Sequence, residues 1–323
     1  MSKARRKSTG DTHRLAGGLA ADIWEARIAT EAREVQRQRG LADVFAASWL
    51  VRPVVQSASL PDTEEGRAEL WRSLILRVHG PGERALSERW GDYLEGAAKR
   101  YGERLAETQI NRKTLTRQLS DSEMLQILAT QVEYEIAIEA IGESTIRAIL
   151  RSGFSAAAES IGDITWNPIL DPSSQILGRM VVDVSEFTKQ RVKDIVVGGL
   201  DKGATISEMQ AALMEDQGFS AVRALRIART ETTRTVNEGS DMAINDAANL
   251  GINVYKAWIT AQDEVRDSHM ALGTTDPVVA GGMFTIPPTS EEDAGAQARF
   301  PGDFGIARQD INCRCLSQPQ VKK

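Results

Sequence analysis

Cys313 and Cys315 are the only cysteines in this 323-residue chain, and His269, one of its three histidines, shares with them the loop-rich stretch from Asp263 to Cys315. Residues two apart in a strand face the same side. The run Ile311–Leu316, read as a strand, therefore presents both sulfurs to one face and Asn312 and Arg314 to the other. Two thiolates and the His269 imidazole make three ligands of a zinc site, with Asp263 or Asp303 as a distant fourth. The alternative is a buried pair of thiols packed under a histidine that hydrogen-bonds to Asp303 or Asp263. A Cys-x-Cys spacing is tighter than structural zinc sites normally use, so the second arrangement, without a cofactor, is the expectation.

A second group of charges lies upstream. Arg229, Glu231 and Arg234 alternate in sign within two helical turns, with Asn237 one turn further on, and Glu231 and Arg234 form an i,i+3 pair. A catalytic reading makes Glu231 or Asp263 a general base beside His269, with Arg266 close by, in a small hydrolase or transferase. The other reading is a polar network that ties the helix to the loop. No nucleophile elbow, phosphate-cradling glycine loop or His-Glu-x-x-His motif occurs, so a network and no enzyme is expected.

The elements that position these residues follow from periodicity. Leu15, Leu19, Ile23, Ile28 and Val35 mark a helix between Asp11 and Trp49, and the prolines between Val51 and Pro61 break it. Thr63 is the N-cap of a second helix, expected to end at Gly80-Pro81-Gly82. Leu86, Trp90, Leu94, Ala97, Tyr101 and Leu105 form the seam of a bundle helix. Another should run from Ser122 to Leu150. Prolines 168 and 172 interrupt the pattern, which resumes with Ile176, Met180, Val184 and Phe187, then Val192, Ile195 and Val196. Ser207 and Gln210 fit a capping box. A long helix, Ser220–Leu250, carries a face of small residues and closes at Gly251. Around Tyr255–Ile259, Met283–Ile286 and Ile311–Leu316 three strands are expected.

The fold class is therefore mainly α: a helical N-terminal half followed by a small α+β C-terminal domain with a few short strands. The organisation expected is a basic arm, helix and linker (1–60), a helical bundle region (61–165) and an α+β domain (166–323). A chain of this length buries its cores without staples. Its start is polar rather than an apolar signal core, and no long apolar run occurs, so neither export by a signal peptide nor a membrane span is expected. The net charge of −6 argues against a surface that embraces nucleic acid throughout. Residues 1–60 carry ten Lys and Arg against six Asp and Glu, which makes this part +4 and leaves −10 for the remainder. Lys3, Arg5, Arg6, Lys7 and Arg14 are accordingly candidates for contact with DNA.

Three blocks stand in order. They are Arg223-Ala-Leu-Arg226-Ile-Ala-Arg229-Thr230-Glu231-Thr-Thr-Arg234-Thr-Val-Asn237-Glu-Gly239; Lys256-Ala-Trp258 with Asp263 and Arg266-Asp-Ser-His269; and Pro301-Gly-Asp303 with Ile311-Asn312-Cys313-Arg314-Cys315. Over roughly residues 175–318 this resembles the phage Mu gene F / SPP1 gene 7 family of head morphogenesis, or minor capsid, proteins. The loop between Gly282 and Pro301 is longer and more acidic than that pattern. The resemblance implies a virion and procapsid component of a tailed bacteriophage. It would be made in the host cytoplasm and lie inside the capsid near the portal. Its implied partners are the portal protein, other head or scaffolding proteins and viral DNA, with a part in DNA ejection. Some relatives look like such a module followed by a toxin or nuclease. Here Lys323 stands eight residues past Cys315, and no such cargo is expected.

Overall fold

The computed structural model describes residues 60–61, 63–107, 121–162, 164–262, 265–288, 290 and 293–322. The expected helix at 11–49, nearly all of the linker, the basic-arm residues Lys3, Arg5, Arg6, Lys7 and Arg14, and Asp263 lie outside the described residues. The described residues belong to one compact unit.

The fold is mainly helical, with short antiparallel strands near the carboxy terminus. Helix α1 (Glu64–Leu74) starts at Thr63, whose hydroxyl accepts the Gly66 amide at 3.1 Å. The helix was expected to stop at Gly80-Pro81-Gly82, but it does not. A single π turn, Ile75–His79, joins it to α2 (Gly80–Glu107), and the Gly80 amide reaches back to the Ile75 carbonyl. The extra residue in that turn accommodates Pro81, which brings no N–H to a regular helical ladder. The α2 seam Leu86, Trp90, Leu94, Ala97, Tyr101 and Leu105 is buried as its spacing predicts.

The helix expected over Ser122–Leu150 is three: α3 (Asp121–Leu128), α4 (Thr130–Ile141) and α5 (Glu143–Ile161). They are separated by Ala129 and Gly142, with φ of 38° and 74°, which no continuous right-handed helix accommodates. Glu133 of α4 is buried and takes hydrogen bonds from Arg100 at 2.9 Å and Arg104 at 2.7 Å on α2. Burial works against its charge, but the two guanidiniums outweigh it and hold its carboxyl below the usual range.

After an extended passage and a short 3-10 turn, α6 (Ser173–Asp201) runs as one helix through Gly198-Gly199. Phe187 is 58 % exposed, and Thr188 takes the inward position instead. Helix α7 (Ile206–Glu215) does begin with a capping box, two residues earlier than the expected pair. Thr205 and Glu208 form it, while Gln210 donates across to the Gly102 carbonyl at 2.9 Å.

Helix α8 (Ala221–Asn249) is capped by Ser220 and followed by Gly251 at φ 83°. It packs along α5 and α2. Strand β1 (Val254–Ile259) lies between β2 (Val278–Val279) and β5 (Leu316–Val321), antiparallel to both, with Trp258 opposite Ser317. A second pair, β3 (Phe284–Thr285) and β4 (Gln297–Ala298), lies apart from it in the sheet order. Two short helices, α9 (Asp267–Leu272) and α10 (Ala307–Asp310), complete the end of the chain. One apolar cluster runs from Trp71 on α1 to Leu316 on β5, so residues on both sides of the Ile164–Pro172 passage share it.

Candidate functional site

Helix α8 is the platform of the site, because successive turns of one face each hold a segment of the carboxy-terminal loop. The Thr230 hydroxyl accepts the Asn312 amide at 2.9 Å. One turn on, the Thr233 hydroxyl donates to the Cys313 carbonyl. That hydroxyl has one proton, so the 2.8 Å contact with His79 Nε2 requires the imidazole to be the donor. His79 is fully buried, and its pKa is lowered to about 3 by burial first and then by the charges of Arg314 and Arg229. It is neutral at pH 7. Glu83, 3.4 Å from His79 Nδ1, is paired with Arg229 at 3.0 Å and faces Arg314 at 4.0 Å.

Asn237, two turns beyond Thr230, is the hub of the loop. The two protons of its Nδ2 are shared among the carbonyls of Thr233 (2.9 Å), Cys315 (3.1 Å) and Pro301 (3.2 Å), and its Oδ1 accepts the Ser317 amide at 2.8 Å. Arg234 donates to the Gly302 carbonyl at 3.0 Å. Gly302 has φ 90°, and a Cβ there would stand 3.3 Å from the Arg234 backbone. A glycine is thus what lets the Pro301-Gly302 turn lie flat on the helix. Glu231 is 7 % exposed and faces Arg234 at 3.3 Å; burial raises its pKa, partly offset by that arginine.

Residues 311–315 do not form the expected strand, since β5 starts at Leu316. Asn312 takes a left-handed conformation, φ 61°, and its side chain accepts from Arg229 at 3.5 Å. The turn it makes still brings the two sulfurs together, by a route other than strand alternation. Cys313 Sγ and Cys315 Sγ each lie 3.6 Å from His269 Nδ1. Asp303 is not the partner of His269; it is held by Arg299 at 2.7 and 2.8 Å. Trp258, Phe304 and His269 pack ring on ring, with centroids 5.1 to 6.0 Å apart. Cys315 and burial both push the Cys313 thiol well above its usual pKa. Burial pushes Cys315 up as well, but contacts with Cys313, the Ala261 amide and Trp258, with the charge of Arg266, outweigh it and bring that thiol down.

The remaining expected residues act as fasteners. Arg266 donates to the Ile311 carbonyl. Arg314 lies over the Trp71 ring at 5.6 Å, and its carbonyl accepts the Trp71 indole N–H at 2.9 Å. Glu231 is engaged by Arg234 and His269 by two sulfurs, so among the described residues the proposed base and histidine have no hydrogen bond to each other. Sequence reasoning missed His79, Glu83, Thr230, Thr233 and the buried pair Lys256–Asp241. Lys256 Nζ donates to Asp241 and to the Arg299 carbonyl, both at 2.7 Å. A lysine on the alternating strand Tyr255–Ile259, facing the long helix, was the one available signal for that pair.

Residues 190–317 match the family described as Phage Mu protein F like protein. A stretch of 129 residues, 40 % of this chain, is 35 % identical to the NAD(+)–arginine ADP-ribosyltransferase EFV of Enterococcus faecalis. The aligned part spans a quarter of that protein's length. No solved structure matches the chain. The matched segment 190–317 contains α8, the loop it holds and the His269–Cys313–Cys315 cluster, so it is this part of the chain that is similar to the phage Mu protein F-like family.

Proposed function

We propose that this protein is a minor head component of a tailed bacteriophage that joins the procapsid at the portal and stays in the virion. In this reading the α8 knot is a structural fastening and not a catalytic centre. The family match over 190–317 carries the proposal. The burial of the knot supports it: His269 is 1 % exposed, Cys313 2 % and Glu231 7 %, so no substrate reaches them without the loop opening. Among the described residues, no helix is long and apolar enough to cross a membrane. The basic arm, Lys3, Arg5, Arg6, Lys7 and Arg14, supplies a salt-sensitive contact with packaged DNA.

Quantitative mass spectrometry of purified particles, with pull-down of the portal protein by the full chain, tests this reading. The chain is expected in particles at low copy relative to the major capsid protein and in the portal complex. Particles without it would overturn the assignment to the virion, and a portal that does not retain it would overturn the docking. Removal of residues 1–14 should abolish most DNA binding at low salt; unchanged binding gives the arm another role.

A further inference from the structure

We infer that His269 Nδ1, Cys313 Sγ and Cys315 Sγ form a zinc site with three protein ligands. The three atoms lie within 4.8 Å of one another, and Nδ1 is 3.6 Å from each sulfur. A tetrahedral zinc with bonds of about 2.3 Å to sulfur and about 2.05 Å to nitrogen needs nitrogen and sulfur about 3.5–3.6 Å apart. An imidazole nitrogen has one proton or one lone pair and aims it at one sulfur. Equal placement against two is what an ion between them would impose.

The surroundings of the sulfurs point the same way. The Cys315 amide donates to Cys313 Sγ at 3.4 Å, and the Ala261 amide bonds to Cys315. Backbone donors aimed at sulfur favour the thiolate, and a bound divalent ion deprotonates a coordinating thiol outright, including Cys313, which Cys315 and burial otherwise keep protonated. Two thiolates, a neutral imidazole and one divalent ion sum to no net charge, so the cluster can lie between Trp258 and Phe304 without an isolated buried ion. Soft sulfur with imidazole, at nitrogen–sulfur distances that fit a tetrahedron, selects zinc over the hard divalent cations. No fourth histidine, cysteine or carboxylate among the described residues joins the group, which leaves the fourth position of the tetrahedron to a water.

The inference does not depend on a role in head assembly. The full chain, carrying no polyhistidine tag and kept reduced, is purified from cells given zinc and analysed by plasma mass spectrometry. About one zinc per chain is expected, falling below about a tenth in Cys315→Ser. Protein from cells given cobalt instead should show a thiolate-to-cobalt charge-transfer band in the near ultraviolet and tetrahedral visible bands. This spectrum needs no variant, so a Cys315→Ser chain that does not fold leaves the test intact. Parent protein with less than about a tenth of a zinc and no charge-transfer band, or full zinc retained in a folded Cys315→Ser chain, would overturn the site.

Discussion

Asn237 and Ser317 are joined by a 2.8 Å hydrogen bond in which a helix side chain serves a strand, the Ser317 amide donating to Asn237 Oδ1. Among the described residues strand β5 is an edge strand, with β1 its one neighbour in the sheet. Asn237 thus supplies the partner that a further strand would otherwise provide, and its Nδ2 fixes the loop on either side.

Asn237→Ala should therefore cost roughly 2–3 kcal/mol, because it strips a partner from a buried amide and from buried carbonyls at once. Asn237→Asp, nearly the same shape, should be worse, since it sets a carboxylate against the carbonyls of Pro301 and Cys315. Urea unfolding of the two variants and the parent measures this; an Asp variant as stable as the parent would show that the loop is not held there.

The crossing of α5 and α8 should be equally intolerant of added volume. A Cβ on Gly239 would stand 2.1 Å from the Leu150 carbonyl oxygen, and one on Gly153 would stand 2.0 Å from that of Val236. Both obstacles are backbone, so the helices have to separate. Gly239→Ala should lower stability by about 2–3 kcal/mol despite the better helix propensity of alanine. A stabilised variant, by thermal melting, would contradict the crossing.

The lowered pKa of His79 sets the sign of a pH effect. The folded state holds the imidazole neutral down to about pH 3, while the unfolded chain protonates it near 6.5. This contribution is fully present above 6.5 and is lost progressively as the pH falls from there towards 3. At pH 5 it should have fallen by roughly 2 kcal/mol relative to pH 7.5. Urea titrations across that range test it, with His79→Gln expected to flatten the profile. A profile of opposite sign would mean that His79 carries its proton against Glu83.

Enzymatic transfer is a separate question that the bacterial relative raises. With NAD and free arginine or an arginine-containing peptide, the full chain should transfer no ADP-ribose, because His269 and Glu231 are closed in and share no hydrogen bond. Labelled product above background, lost in Glu231→Gln, would make the knot catalytic.

Several elements were legible in the sequence because their causes are local. The α2 seam, the Thr63 cap, the extent of α8 and its close at Gly251, and strand β1 all follow from spacing and residue type within a few positions. The bringing together of His269 and the two cysteines was also foreseen from residue type. What the tertiary structure decided lay at longer range or in backbone angles. Pro81 continues a helix because a π turn absorbs it, and the helix expected over 122–150 breaks where Ala129 and Gly142 take positive φ. His79 is bonded to Thr233, 154 positions away, and Asp303 turns to Arg299 rather than His269. Periodicity reports which face of an element is buried. Which polar group meets which inside the core depends on how the helices cross, and for α5 and α8 that crossing is set by two glycines that bring the backbones into contact.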